Sequence, residues 1–418
     1  METFFKVKTS EEVIEILNRF VPLGEETIPL EYSLGRVLSR NITSPQDLPD
    51  FLRSAMDGYA VRARDTFGAS ESLPALVEVY GEVLMGEVPQ MVVREGRAVK
   101  ISTGGMLPEG ADGVVMIEYC DLLDETTLEI GRAISPLENV IQPGDDFKEG
   151  VTVLKKGHRL RPQDLGVMAG LGISKLPVHR KPNVALISTG DEVVPIEEQP
   201  RPGQVRDINR YTLGAFCQQV GAEPFYMGLC PDDFEPLKSM VEDALIRADT
   251  VWISGGSSVG TRDLTLKVFE TLPGFELFAH GISISPGKPT IIGKAGSKPI
   301  IGLPGQVASA LVVAEVFLTR LISRLSGHAG PSNRSYAEVE AVLSRNIESA
   351  SGREDYIRVR LVDKGEALIA TPVYGKSGLI SPLVESQGLV KVDINTEGLY
   401  EGQKVRVMLF SPINGGGR

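Results

Sequence analysis

Two runs, VALIS at 184–188 and TVWIS at 250–254, contain no charged residue, and each leads into a glycine turn. A strand that is apolar at consecutive rather than alternate positions is covered on both faces, which is the situation of a parallel sheet sandwiched between helices. Between the runs lie Leu213, Phe216, Cys217 and Val220, then Leu237, Met240, Val241, Ala244 and Leu245. Both spacings mark one buried helix face. Residues 181 to about 327 therefore read as a parallel α/β sheet. The flanks differ. Thr9 and Glu12 have capping-box spacing ahead of Val13, Ile14, Leu17 and Phe20, predicting a helix from near Ser10 to near Pro22. From about 49 to 143, short runs such as LVEVYGEV and GVVMIEY separated by Gly, Pro and Asp predict a small β-rich module. Beyond Tyr336, Ile357, Val359 and Leu361 alternate with Arg358 and Arg360, the period of a half-buried strand, predicting a small antiparallel β-domain.

A chain of 418 residues exceeds what one core organises, so two to four domains are expected. With 43 Lys plus Arg against 55 Asp plus Glu, the net charge is −12, and nonspecific nucleic-acid binding is not expected. An anionic ligand therefore needs donors gathered locally. The three cysteines, Cys120, Cys217 and Cys230, lack CxxC spacing, so neither a zinc site nor a disulfide framework is indicated. No basic and apolar leader and no eighteen-residue apolar run are present, so the chain reads as cytoplasmic, with no membrane span.

Three turns carry candidate chemistry. VALISTGDEVV sets Gly190, Asp191 and Glu192 just past a strand, where open α/β sheets bind ligands; two acids there suit a metal, although turn-making accounts for them equally well. VWISGGSSVGTRDLT offers Gly255, Gly256 and Gly260 for close backbone approach and Ser257 and Ser258 as hydroxyls, with Asp263 expected in the first turn of the next helix. It matches neither the Walker nor the dinucleotide fingerprint. GLPGQV precedes a long apolar helix with Ser309 one turn inside, and Lys288 sits between Gly287 and Pro289 in a stiff turn. Taken alone, Lys288 reads as solvated, and Asp57, Asp145, Asp146, Asp232 and Asp233 read as turn or cap residues. The four histidines form no HExxH or close cluster, and no GxSxG elbow is present.

In order along the chain, AMDGYA, ISTGGMLPEGADGVVM, PGDD, ISTGDEVV, SGGSSVGTRDLT, PGKP and GLPG resemble the MoeA family, which includes the corresponding domain of gephyrin. The resemblance runs from about Ser33 to the C-terminus. It implies an elongated homodimer with four domains: a discontinuous helical and linker domain (1–48 and 144–180), an inserted β module (49–143), an α/β molybdopterin-binding domain (181–328) and a C-terminal β-barrel (329–418). It implies molybdenum insertion into adenylylated molybdopterin, with molybdate as co-substrate, Mg²⁺ as cofactor and AMP as product. Partners implied are a molybdopterin adenylyltransferase and molybdoenzyme clients. Carried over by motif, Asp57, Thr103, Asp146, Glu192 and Asp263 are the catalytic residues, with Glu192 and Asp263 on the metal. Gly255, Gly256, Ser257, Ser258, Gly260 and Asp232 attend the pterin and its phosphate, and Lys288, Ser309, Arg353 and Ser377 hold molybdate. Asp57, Thr103 and Asp146 would come from the opposite subunit.

The departures fall in the oxyanion pocket. The family's KPGKP has Ser285 in place of its first lysine, a second family lysine aligns with Gly281, and GLPGNP becomes Gly302 to Val307 with Gln306 and Val307. His280 is a candidate to compensate. The alternatives are a non-catalytic paralogue that binds the pterin or a client protein, and a magnesium-dependent enzyme acting on another phosphorylated small molecule.

Overall fold

The computed structural model describes residues 6–255, 259–328, 338–365 and 367–411, with only the backbone course for 259–263. The chain forms two compact units: Met1–Arg40, Lys156–Arg161 and Lys175–Arg418 make the first, and Asn41–Lys155 with Pro162–Ser174 the second.

In the first unit the two apolar runs become the neighbouring strands Asn183–Thr189 and Thr250–Ser254, buried from Val184 and Thr250 onward. Burial on both faces follows from alternation along the strand. Val184, Leu186 and Trp252 join one core with Leu213, Phe216 and Cys217 of helix Asn209–Gln219. Ala185, Ile187, Val251 and Ile253 join another with Leu237, Val241 and Ala244 of helix Phe234–Arg247. The sheet order is Glu223–Cys230, Asn183–Thr189, Thr250–Ser254, Lys298–Leu303, Ile291–Ala295, Phe275–His280. The first four strands are parallel, and Ile291–Ala295 runs against both neighbours. After Asn183–Thr189 the chain adds a strand on one side and then on the other, so the winding reverses there. Such a switch point leaves a crevice at the carboxyl ends of the strands.

Helix Ser10–Asn18 has the predicted capping box: Glu12 N–H donates to Thr9 Oγ1 (3.2 Å), and Thr9 N–H donates to Glu12 Oε2 (2.9 Å). It stops at Asn18 rather than near Pro22, because Arg19 N–H turns to the Ile16 and Leu17 carbonyls. Phe20, beyond the helix, still enters the core holding Val13 and Leu17, which is why the apolar spacing overstates the helix. Thr9→Ala removes one half of the box and should lower stability by about 1 kcal/mol, read as a lower urea midpoint with unchanged circular dichroism at zero urea.

The C-terminal strands close on themselves. Glu354–Asp363 pairs with Leu368–Pro372, that strand with Glu338–Leu343, then Lys404–Leu409, then Gly388–Val392, which returns to Glu354–Asp363. This five-stranded barrel has no free edge among its ring strands, and because Leu368–Pro372 pairs in parallel with Glu338–Leu343 it is not the wholly antiparallel domain that the alternation predicts. Val359, Ala370, Val390, Val405 and Val407 fill its interior.

The second unit is built on a six-stranded sheet in the order Gly113–Met116, Gly58–Val61, Arg97–Ile101, Ala75–Val83, Thr127–Ile130, Cys120–Leu122. Gly58 is required there, since a Cβ would lie 1.9 Å from the Val115 carbonyl oxygen. Among the described residues no helix is long and apolar enough to cross a membrane.

Candidate active site

The crevice at the switch point is a cleft of about 250 Å³ lined by Ser188, Thr189, Glu192, Asp207, Asn209, Ser254 and Gly255, among others. Gly255 passes close to the neighbouring strand end: a Cβ there would lie 2.0 Å from Thr189 Oγ1. Gly190, at φ 140°, makes the first turn, and a Cβ on it would come within 2.9 Å of Glu192 Oε2, so glycine lets the Glu192 side chain fold back over the loop.

Carboxylates gather at this rim. Asp232 N–H donates to Asp191 Oδ1 (3.1 Å), while Asp232 Oδ1 is buried with no hydrogen-bond partner among the described residues. Burial, with the negative charges of Asp191 and Glu192, pushes the Asp232 carboxyl above the usual range. Asp232 and Asp233 are therefore not simple helix caps: Asp233 occupies the cap position of helix Phe234–Arg247 without a side-chain capping bond. Among the described residues no three His, Cys, Asp or Glu side chains are grouped closely enough to hold a metal by themselves. Asp263 lies five residues into helix Val259–Glu270, beyond the first turn where it was expected, which removes the capping role. Gly260 is on the same helix. Gly256, Ser257 and Ser258 lie outside the described residues.

A second cavity, about 370 Å³, adjoins the first through Gly305 and Gln306, which line both. Lys288, Ser309, Arg353 and Ser377, dispersed over ninety residues of sequence, all line it, as do Ser285 and Gln306. Each is held by a different element. Lys288 follows strand Ile284–Ser285, Ser309 is buried in helix Val307–Val313, and Arg353 opens the barrel strand Glu354–Asp363. Ser377 accepts the Ala308 N–H through its carbonyl at 3.0 Å, fastening its loop to the helix start. Arg353 Nε sits 3.2 Å from Asp355 Oδ1, which leaves the terminal guanidinium nitrogens for a ligand's oxygens. His280 is buried at the end of strand Phe275–His280 and does not line this cavity.

Asp207 and Asn209 escaped the sequence reading. Both are buried in the cleft, and Asp207 Oδ2 is a buried oxygen with no partner among the described residues. Asn209 Nδ2 donates to Gly305 O (2.9 Å), tying the two cavities together. Their only signal is a pair of polar residues, in RDIN, directly ahead of an apolar helix face.

In the second unit Asp57 and Thr103 come together. Asp57 Oδ1 accepts from Thr103 N–H (2.7 Å) and Thr103 Oγ1 (2.9 Å), and these bonds hold the carboxyl below its ordinary range. Asp146 lies on a separate exposed turn whose backbone N–H donates to Leu48 O (3.0 Å). The buried Cys217 has its thiol pushed up by desolvation, and Cys120 is pushed up to about 12 chiefly by burial, so neither is a ready nucleophile.

Three family models match in succession: "MoeA N-terminal region (domain I and II)" over 8–172, "Probable molybdopterin binding domain" over 185–324, and "MoeA C-terminal region (domain IV)" over 340–410. The chain is 32% identical to a molybdopterin molybdenumtransferase of Haemophilus influenzae, over 94% of this chain and 96% of that protein. It is 31% identical to one of Bacillus subtilis, over 97% and 94%. A crystal structure of a molybdopterin biosynthesis MoeA protein from Pyrococcus horikoshii superimposes with a TM-score of 0.82 at 38% identity, over 97% of this chain and all of the other. With its three regions matched in order and its barrel and switch-point sheet in place, the chain belongs to the MoeA family.

Proposed function

We infer that this chain is a molybdopterin molybdenumtransferase, inserting molybdenum from molybdate into the dithiolene of adenylylated molybdopterin in molybdenum cofactor biosynthesis. The observation that carries this reading is the convergence of Lys288, Ser309, Arg353 and Ser377 on one cavity that shares Gly305 and Gln306 with the acid-rimmed cleft. An ammonium, a guanidinium fork and two hydroxyl-bearing residues suit a tetrahedral dianion. In the adjoining cleft, the glycines and serines that follow Gly255 in sequence are the proposed phosphate donors, by the chemistry of a glycine-rich loop after a buried strand. The two substrates would then meet where the cavities join.

The carboxylates fit a magnesium ion. An orphaned buried oxygen on Asp232 and the mutual repulsion of Asp191, Glu192 and Asp232 are relieved by a cation. Magnesium commonly takes one or two protein carboxylates and completes its shell with water and substrate phosphates, so a cage of three is not required. Glu192 and Asp263 are the proposed ligands. The ion would supply charge neutralisation at the phosphoanhydride. The chain's own residues do the positioning: Asp207 and Asn209 order the cleft wall, and Arg353 and Lys288 hold the oxyanion. Water entering at the phosphoanhydride would release AMP.

The proposed working form is a homodimer, with Asp57, Thr103 and Asp146 contributed by a second copy. Asp57 and Thr103 support it as an exposed, preorganised acid and hydroxyl pair. Light scattering should give twice the chain mass, 45.1 kDa per chain; a fully active monomer would remove the shared site.

A second reading, a pterin-binding paralogue without turnover, is favoured by Ser285 and Gln306, which line the cavity where the family carries a lysine and an asparagine. AMP release from adenylylated molybdopterin that requires both magnesium and molybdate establishes the first reading. Binding of the nucleotide without release establishes the second.

A further inference from the structure

The amino ends of the parallel strands, opposite the cleft, carry a cavity of about 270 Å³ that the proposed reaction does not use. Its cationic and imidazole residues are Arg36, Arg159, His179, Arg180, Lys181 and His328. No Asp or Glu is among its lining residues, in a chain whose net charge is −12. Five chain segments build it. One of them, Arg180 and Lys181, leads into strand Asn183–Thr189, and another, Gln218 to Gly221, is the carboxyl end of helix Asn209–Gln219 and the turn after it.

The side chains are held in place. Arg159 Nε donates to Gly35 O (3.1 Å), Arg36 donates to His179 O (2.8 Å) and pairs with the exposed Glu26, and Arg180 pairs with Asp249 (3.1 Å). Lys181 pairs at 3.4 Å with the exposed Glu223. The imidazole of His179 is more than nine-tenths buried. Its Nδ1 donates to Leu23 O (2.9 Å), so in the neutral ring Nε2, which has no hydrogen-bond partner among the described residues, is an acceptor, suited to the P–OH of a partly protonated phosphate. Gly327, at φ 76°, packs its backbone against that ring: a Cβ there would lie 2.2 Å from Cδ2 and 2.5 Å from Nε2, so only glycine allows this approach. His328 reports the local field: burial, then the charges of Arg159 and His158, hold its pKa below the ordinary imidazole value despite a bond to Gly157 O.

We propose that this cavity is a second ligand site, taking a small phosphate-bearing anion. Neutralising helix C-termini explains only part of the charge. Arg159 does reach Val220 O at the end of one helix (3.5 Å), but Arg180 and Lys181 lie on a strand entry and bond to carboxylates instead. A cavity of this size is below that of drug-sized ligands, which fits pyrophosphate or a short phosphate monoester. Preset guanidinium groups add charge-assisted bonds with little reorganisation.

The test is calorimetric titration of the full-length protein carrying Lys288→Met, which weakens the carboxyl-end cavity, at constant ionic strength. Inorganic pyrophosphate and glycerol 3-phosphate are the two probes, and whichever binds more tightly identifies the inorganic or the ester source. Lys181→Gln, which frees only a solvated carboxylate, and Ser323→Leu, which fills the cavity from helix Thr319–Leu325, should each weaken the tighter probe at least tenfold. Unchanged affinity in both variants, or equal competition by chloride, overturns the proposal.

Discussion

Glu192→Gln should lower magnesium-dependent AMP release by about a hundredfold or more and leave the urea midpoint where it was. The side chain is exposed at the cleft rim, so the isosteric amide disturbs no core packing. What changes is the charge offered to a cation. A lost ligand raises the magnesium concentration needed for half-maximal rate, whereas a residue that merely shapes the turn moves neither the requirement nor the rate. Asp263→Asn, on the helix that follows the second loop, is expected to behave alike. Wild-type turnover with a wild-type magnesium requirement in Glu192→Gln removes this residue from the metal and leaves Asp191 and Asp232 to account for the acid rim.

The parallel sheet and the C-terminal strands were legible because burial writes itself into a periodicity. Continuous apolar runs at 184 and 250, and alternation at 357–361, need only local sequence to be read. Barrel closure was not legible from periodicity, since it depends on which distant strand Gly388–Val392 pairs with, and alternation reveals a face but not its neighbour. The same reason hid Asp207 and Asn209. A polar pair before a helix reads as solvent-facing until the fold buries it beside Gly305. Asp263 falls one turn deeper in the helix than expected because the helix already runs from Val259 through Gly260, and a glycine so close to a glycine-serine loop reads as part of the loop. Lys288, Ser309, Arg353 and Ser377 were reached by motif alone; nothing in their spacing could have placed them around one cavity. The basic cavity at the other end of the sheet had no motif, and its residues span almost three hundred positions.

Ser285→Lys should tighten molybdate binding by about five- to thirtyfold, a net gain of ~1 to 2 kcal/mol. Two unit charges ~4 Å apart attract by roughly 4 kcal/mol at an effective dielectric near 20. Desolvating the new ammonium offsets about half of that or more. Ser285 lines the same cavity as Lys288 and Arg353, so a longer side chain from this position has the ligand within reach. It also has a competitor. In the strand pairing, Ser285 is the register partner of Asp355, whose buried carboxylate holds Arg353 Nε at 3.2 Å and accepts from Ser349 Oγ at 2.6 Å. A lysine drawn to Asp355 would release Arg353 and add no charge to the ligand. The two outcomes separate by salt. A direct ammonium contact with molybdate steepens the loss of affinity between low and moderate ionic strength, while capture by Asp355 leaves the slope unchanged and the affinity the same or lower. If Ser285→Lys gains nothing at either ionic strength, but gains once Asp355→Asn is added, the carboxylate took the charge and the cavity had simply lost a cation. If the double variant gains nothing either, the cavity has been rebuilt around Ser285 and Gln306 for a different occupant, and the pterin-binding reading becomes the better account.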